Sequence, residues 1–172
     1  MPESECVTVL QGMKQEAPDG VKVSYAMGSG FSEADEHEKA KAMALAEESD
    51  VIVAVVGGSS SRFGGAVFDA NGAASKGTGS RSMDCGEGMD TAKVHIPAAQ
   101  EELIAALARL GKPLVTVVIA GRAYCIEKIE NASDAVLYAF YPGPMGGRAV
   151  AELLYGSSNP SGRLPVSMPR HV

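Results

Sequence analysis

Residues 51–56 read Val-Ile-Val-Ala-Val-Val, an uninterrupted apolar run in which five of the six side chains are β-branched. Alternating apolar and polar residues are typical of a strand with one solvated face, whereas a continuous run of this kind predicts a strand buried on both faces. Residues 114–119, Leu-Val-Thr-Val-Val-Ile, have the same character. Such strands belong to parallel sheets, whose crossover connections are usually helical, so the two runs predict an α/β fold.

Helical patterns lie on either side of these strands. Residues 32–49 are rich in Ala, Glu and Lys, with Ser32 as a candidate N-cap, and the next helix begins at Pro97 and ends at Gly111. The other predicted elements are a helix over 6–17, a strand over 21–25, a short helix over 126–129, a strand over 135–140, a helix over 146–155 and an extended stretch over 164–169. This alternation predicts a three-layer sandwich with a mainly parallel, flavodoxin-like sheet.

The composition fits one domain and argues against several functions. The chain has 172 residues, 45% of them hydrophobic, and a net charge of −6. No basic stripe could neutralise phosphates, so we expect no nucleic-acid partner. Three scattered cysteines and three scattered histidines predict neither disulfides nor a metal site, and no cofactor is expected. The apolar runs are too short to span a bilayer and no signal-peptide pattern is present, which favours a cytoplasmic protein without membrane partners.

The connection from residue 57 to residue 96 is far longer than the roughly 2–6 residues usual between a strand and a helix. Glycine, serine and alanine interrupt every periodicity in it. In parallel α/β sheets, ligands bind beyond the carboxyl ends of the strands, and this connection starts at one such end. We therefore expect the functional site at this edge of the sheet.

Several separated motifs resemble a single family. They are residues 53–58 before the long connection, the loop Asp84-Cys85-Gly86-Glu87-Gly88-Met89-Asp90, and the segments 96–103, 111–113, 120–122, 141–147 and 159–165. In order and spacing they resemble the second domain of glycoside hydrolase family 3, the β-glucosidases and β-xylosidases, over nearly the whole chain. The resemblance implies a retaining glycosidase in which residues 1–172 are the C-terminal α/β sandwich. A barrel domain that is absent here would carry the nucleophilic aspartate.

The resemblance also implies that the chain begins after the first strand of the sandwich sheet. We then expect an exposed sheet edge and an exposed face for docking of the barrel domain. An apolar face of this kind allows a homo-oligomer.

The resemblance assigns the general acid/base to Glu87 in the Gly-Glu-Gly loop. Retaining hydrolysis needs two carboxyl groups about 5–5.5 Å apart, one to attack the anomeric carbon and one to protonate the leaving oxygen. The flanking glycines allow the backbone to approach a sugar closely. Burial and the charge of the nucleophile should raise the pKa of Glu87 in the assembled site. The implied substrate is a terminal β-linked glucoside, xyloside or oligosaccharide.

Four further residues are candidate sugar contacts. Ser59, Ser60 and Arg62 follow the strand 51–56, and hydroxyl and guanidinium groups suit a polyol. Asp84, in the acid/base loop, is the fourth candidate. A second interpretation stays open for each: the first three could belong to a solvated polar loop, and Asp84 could hold its loop through Asx-type hydrogen bonds.

Three other functions fit parts of the sequence. Cys85 and His95 are a conceivable nucleophile and base, but Cys85 lacks a strand-turn-helix elbow. Residues 57–65 superficially resemble a phosphate loop, yet they contain neither GxGxxG nor GxxxxGK[ST]. A noncatalytic α/β domain that binds a carbohydrate or a partner is the third alternative, and the presence of the Gly-Glu-Gly loop argues against it.

Overall fold

A computed structural model describes residues 6–60, 67–68, 70–71, 74–75, 83–86 and 90–170. Its helices are α1 (Val9–Gln15), α2 (Glu36–Glu47), α3 (Ala98–Ala108), α4 (Glu127–Ala132) and α5 (Gly146–Leu154). Its strands are β1 (Ile52–Gly57), β2 (Val67–Phe68), β3 (Ala74–Ser75), β4 (Leu114–Ile119) and β5 (Ala135–Tyr138). The strands β1, β4 and β5 form a parallel sheet with β4 in the middle, and β2 pairs antiparallel with β3. The predicted α/β fold is confirmed.

Strand β4 has the burial that its sequence predicts. Leu114 and Val118 pack into the main core, and Val117 on the opposite face has no exposed surface. In the register with β1, Gly57 is opposite Ile119, so the two strands end at the same edge of the sheet. This alignment brings the segments that follow β1 and β4 together.

Burial on both faces is correct for β4 and wrong for β1. Ile52, Ala54 and Val56 are buried, but Val55 on the other face is 46% exposed. The reason is that α3 packs on the face of β1 that carries these buried residues, whereas the described residues leave the face of Val55 partly open. A β-branched run reports the preference of its side chains and not whether a neighbour covers them.

The core lies between the sheet and α3. Ile104 and Leu107 of α3 are buried against β1 and β4, and α2 and α4 both contact α3. A second contact joins α1 to α5, where the Tyr155 hydroxyl donates a hydrogen bond to the Met13 carbonyl (2.9 Å). Among the described residues, no helix has the length and apolar character that crossing a membrane requires.

Several predicted boundaries are corrected. Residues 21–25 form no strand, because the segment lies on the surface and Tyr25 is 64% exposed. Helix α2 begins later than predicted, since Asp35 and not Ser32 accepts hydrogen bonds from the first-turn backbone N–H groups. Strand β5 stops at Tyr138, because Phe140 adopts a positive φ of 52°. Helix α1 covers only the centre of the predicted 6–17 helix, and the predicted extended stretch 164–169 pairs with no described strand.

The side chain of Gln100, in the first turn of α3, fixes the carboxyl end of β1. It is only 6% exposed. Its Oε1 accepts a hydrogen bond from the Gly57 N–H (2.8 Å), and its Nε2 donates to the carbonyl oxygens of Gly57 (3.1 Å) and Phe31 (2.8 Å). One amide thus satisfies three partly buried backbone groups from two separate segments.

We predict that Gln100→Ala lowers the free energy of unfolding by about 2–3 kcal/mol, because it leaves those backbone groups without partners. Urea unfolding followed by circular dichroism measures the difference. Glu102→Ala is the matched control, because Glu102 is exposed on the same helix. Equal losses for the two variants would contradict this role for Gln100.

Candidate active site

The carboxyl ends of the three parallel strands meet at one edge, as predicted for the functional site. The Gly58 N–H donates to the Ile119 carbonyl (3.1 Å), which joins the end of β1 to the end of β4. The Ala120 N–H donates to the Phe140 carbonyl (3.2 Å), which joins β4 to the segment after β5. The residues that follow the strands therefore share one surface.

Asp84 attaches the predicted acid/base loop to this edge. Its Oδ1 accepts a hydrogen bond from the Ser59 N–H (2.8 Å), and its Oδ2 accepts one from the Tyr124 hydroxyl (2.6 Å). In return, the backbone N–H groups of Asp84 and Cys85 donate to the Ser59 carbonyl at 2.9 and 3.2 Å. The backbone that leads into residue 87 is thus held against the first residues after β1.

Tyr124 reaches Asp84 because residue 58, which follows β1, is a glycine and has no side chain in the way. The Tyr124 ring is 1% exposed. A Cβ atom at position 58 would lie 2.1 Å from the Tyr124 hydroxyl oxygen, so only glycine fits there. Gly58 is therefore required by the close approach of this ring.

Tyr141 approaches the same loop from the end of β5. Its hydroxyl lies 3.2 Å from the buried Cys85 thiol, and its ring packs on Gly121, where a Cβ would be 2.4 Å from the ring. The left-handed conformation of Phe140 comes immediately before it in the chain. Non-glycine residues with positive φ are uncommon and are often found at functional sites.

Both tyrosines remain neutral in ordinary buffers. Burial, and then the hydrogen bond to the Asp84 carboxylate, raises the pKa of Tyr124 well above its usual value. Burial, and then the contact with Cys85, likewise raises the pKa of Tyr141. Asp84 therefore receives its hydrogen bonds from a neutral hydroxyl and a backbone amide.

A cavity of about 210 Å³ opens beside this network. Asp84 and Asp90 both line it, and they stand three residues before and three residues after position 87. Its remaining wall comes from residues 31–32, Met83, Thr91, Lys93, His95, Pro97 and Tyr124. Polar and charged side chains thus line part of a space beside the described ends of the predicted acid/base loop, together with apolar residues.

His95, which lines the cavity, belongs to a chain of charged and polar side chains. The Glu101 carboxylate, 7% exposed, accepts a hydrogen bond from the Lys128 ammonium at 2.7 Å. This bond raises the pKa of Lys128 above its usual value. The other oxygen of Glu101 lies 3.6 Å from Nδ1 of His95. His95 is itself held by a parallel bridge to Cys125.

The structure brings together three of the predicted site residues. Ser59, Ser60 and Asp84 lie within one network, because the Ser60 side chain also hydrogen-bonds to Tyr141. Asp84 holds its loop through partners distant in sequence and not through the local Asx-type hydrogen bonds of the second interpretation, and its direct contact with a sugar stays a prediction. Glu87 and Arg62 lie outside the described residues, so their predicted roles are not tested.

The alternative functions find little support in this geometry. Cys85 contacts Tyr141 and His95 faces Glu101, so each has a different partner from the one that a nucleophile–base pair requires. The Ser59 N–H, in the phosphate-loop interpretation, already binds the Asp84 carboxylate, which would repel a phosphate. Within the described ranges, no group of three or more His, Cys, Asp and Glu side chains is arranged to hold a metal ion.

Three residues of the network were not predicted from the sequence. Gln100 looked like one polar residue in an amphipathic helix, and its burial depends on its distant partners. Tyr124 and Tyr141 had a usable signal, because both follow the carboxyl ends of predicted strands, where ligand-binding residues concentrate.

Comparison with known proteins decides the family. The sequence profile described as "Glycosyl hydrolase family 3 C-terminal domain" matches residues 1–172. The chain belongs to glycosyl hydrolase family 3. The resemblance stated from the motifs is therefore confirmed, and the chain corresponds to the C-terminal domain of this family.

Relatives and solved structures agree with this family 3 assignment. The domain is 32% identical over 166 residues to a β-xylosidase from Formosa agariphila, covering 96% of this chain and 20% of the relative. It is 33% identical over 189 aligned positions to a periplasmic β-glucosidase from Salmonella typhimurium, covering 98% and 22%. A Listeria innocua β-glucosidase solved with gluconolactone superposes with a TM-score of 0.76 and 28% identity, covering 98% and 20%. The chain spans about a fifth of each.

We predict that Tyr124→Phe reduces the loss of folding stability that the family 3 domain undergoes at alkaline pH. The folded-state pKa of Tyr124 is raised, so the stability linked to its proton is complete below the ordinary pKa near 10 and is lost as pH rises above it. The variant has no such proton. It should also lose about 1–2 kcal/mol at pH 8, because Asp84 loses a donor.

Urea unfolding at pH 8 and pH 10.5 provides the test. The stability difference between the two pH values should be smaller for Tyr124→Phe than for the unmodified domain. Tyr25→Phe, at a position 64% exposed, should behave like the unmodified domain. An equal alkaline loss with and without the Tyr124 hydroxyl would show that this phenol does not contribute.

Proposed function

We propose that this domain supplies Glu87 as the general acid/base of a retaining β-glycosidase. The nucleophilic carboxylate would come from a barrel domain elsewhere in the full enzyme. One observation carries the proposal: Asp84 and Cys85 are hydrogen-bonded to Ser59 at the carboxyl edge of the sheet. This anchor holds the backbone that leads to Gly86, the last described residue before position 87, at the edge where α/β sheets bind ligands.

The proposed chemistry has two steps. In the first, the nucleophile attacks the anomeric carbon while Glu87 transfers its proton to the leaving oxygen, which departs as an alcohol. In the second, the Glu87 carboxylate takes a proton from water, whose oxygen attacks the anomeric carbon and displaces the nucleophile. A domain that contributes one of these carboxylates cannot complete the cycle, so we expect the chain alone to be inactive.

The substrate class follows from the relatives. Their names describe β-xylosidase and β-glucosidase activity, so we propose a terminal nonreducing β-D-xylosyl or β-D-glucosyl residue as the group transferred. Ser60 is exposed beside the anchored loop, and we propose that it and Arg62 contact sugar hydroxyls. Ser59 and Asp84 have protein partners, so their contribution would be to hold the loop and to use their remaining acceptor sites.

The test uses the domain joined to its barrel domain in the intact enzyme. Glu87→Ala should lower kcat by roughly 10²–10⁴-fold on p-nitrophenyl β-glucoside or β-xyloside, which is the usual contribution of general acid–base catalysis. The loss should be smaller with a 2,4-dinitrophenyl leaving group, which needs less protonation. Azide should restore part of the activity, because it can attack the glycosyl-enzyme without a general base.

Glu130→Ala is the control, since Glu130 is exposed on α4. It should keep the kinetics of the unmodified enzyme. Full activity in the enzyme without Glu87 would contradict the proposal and would favour a domain that binds carbohydrate without taking part in the chemistry.

A further inference from the structure

We propose that His95, held by the buried carboxylate of Glu101, hydrogen-bonds the sugar on the leaving side of the cleaved bond and so sets the preference for the leaving group. Glu101 is then a positioning residue, and His95 is the binding residue. This inference rests on the proposed function, because it needs the acid/base on the loop between Asp84 and Asp90. It concerns the 210 Å³ cavity that the two ends of this loop flank.

The environment of Glu101 is unusual for a carboxylate. Its side chain is 7% exposed, and the ammonium of Lys128, whose side chain is 71% exposed, binds one of its oxygens. The second oxygen, Oε1, is fully buried and has no hydrogen-bond partner among the described residues. Buried acceptors are normally satisfied, so an unpartnered carboxylate oxygen points to a contact that tightens in the working enzyme.

His95 is the group placed to make that contact. Its Nδ1 lies 3.6 Å from Oε1, slightly beyond hydrogen-bond distance, so a small movement of the ring would close the gap. Nδ1 faces this acceptor, so an N–H at Nδ1 is the donor that can complete the contact. In a neutral imidazole this choice leaves Nε2 as the acceptor, and the two nitrogens face different directions. Since His95 also lines the cavity, Nε2 is the nitrogen available to a ligand there.

The chemistry of the cavity fits a sugar hydroxyl. Asp84, Asp90 and Lys93 line it with His95, and such neutral and charged hydrogen-bonding groups recognise polyols. The lining also includes Phe31 and Pro97, which offer apolar surface to a ring face.

The retaining mechanism indicates on which side of the cleaved glycosidic bond the cavity lies. The nucleophile attacks the anomeric carbon from the face opposite the leaving group, and the acid/base contacts the leaving oxygen. The nucleophile is proposed to come from another domain, so the transferred sugar lies toward that domain. A cavity flanked by both ends of the acid/base loop is then adjacent to the leaving group.

The decisive experiment compares two leaving groups in the intact enzyme. His95→Ala should lower kcat/KM for a disaccharide (cellobiose or xylobiose, according to the sugar preferred) roughly tenfold, the value of one hydrogen bond. The loss should appear mainly in KM. The matching p-nitrophenyl glycoside, whose leaving group has no sugar hydroxyls, should change less than about twofold on the same scale.

Two conservative variants separate recognition from a structural role. His95→Gln places an amide near the position of Nε2, and His95→Asn places one near Nδ1. We expect Gln to retain disaccharide hydrolysis and Asn to lose it. A structural role would reverse this order, because Asn keeps the contact with Glu101.

Glu101→Gln tests the positioning step, and Glu102→Gln, at the exposed neighbouring position, is its control. Glu101→Gln should reduce disaccharide kcat/KM, and adding it to His95→Ala should cause no further loss, because Glu101 acts through His95. The His95 variants carry the test even where Glu101→Gln impairs folding. Equal changes for both leaving groups in every His95 variant would overturn the inference while leaving the role of Glu87 intact. Full activity without Glu87 would instead remove the proposed function and this inference together.

Discussion

The buried amide of Gln100 is the interaction on which the rest of the site depends. It joins the first turn of α3 to the last residue of β1 and to the Phe31 carbonyl. Without that junction, the backbone groups at the end of β1 would be partly buried without partners, at a cost comparable to a sizeable part of a domain's net stability. Because β1 and β4 end in register, fixing one strand end also fixes the surface to which Asp84 attaches.

The carboxyl edge of the sheet carries a network of formed hydrogen bonds around Asp84. Near it lies a carboxylate oxygen, Oε1 of Glu101, that has no hydrogen bond among the described residues. Asp84, Tyr124 and the Ser59 backbone exchange hydrogen bonds of ordinary length, which gives the loop before residue 87 a defined position. Oε1 of Glu101 lacks a hydrogen bond among the described residues. This oxygen faces His95, which lines the same cavity. Fully satisfied polar networks hold a structure in one arrangement, whereas a missing bond marks a place where a ligand or a small movement can complete it.

The domain spans about a fifth of the relatives that it matches, and this bears on how its chemistry is organised. Under the proposed function, the two carboxylates of the reaction come from different domains. Their separation would then depend on how the domains dock, while the orientation of each depends on its own scaffold. Hydrogen bonds at the strand ends are suited to that second task, because strands position a side chain more precisely than a free loop does.

The sequence by itself determined the class of fold, the course of β4, the start of α3 and the family. These features have local causes: a β-branched run, a proline that precedes the first turn of a helix, and motifs in a fixed order. Only the tertiary structure decided that one face of β1 is half open, that residues 21–25 form no strand, and that Gln100 is buried. It also decided that Tyr124 binds Asp84, 40 residues away in the chain. The physical reason is that burial and hydrogen bonding depend on partners distant in sequence, and no local pattern states which partner a polar side chain will meet.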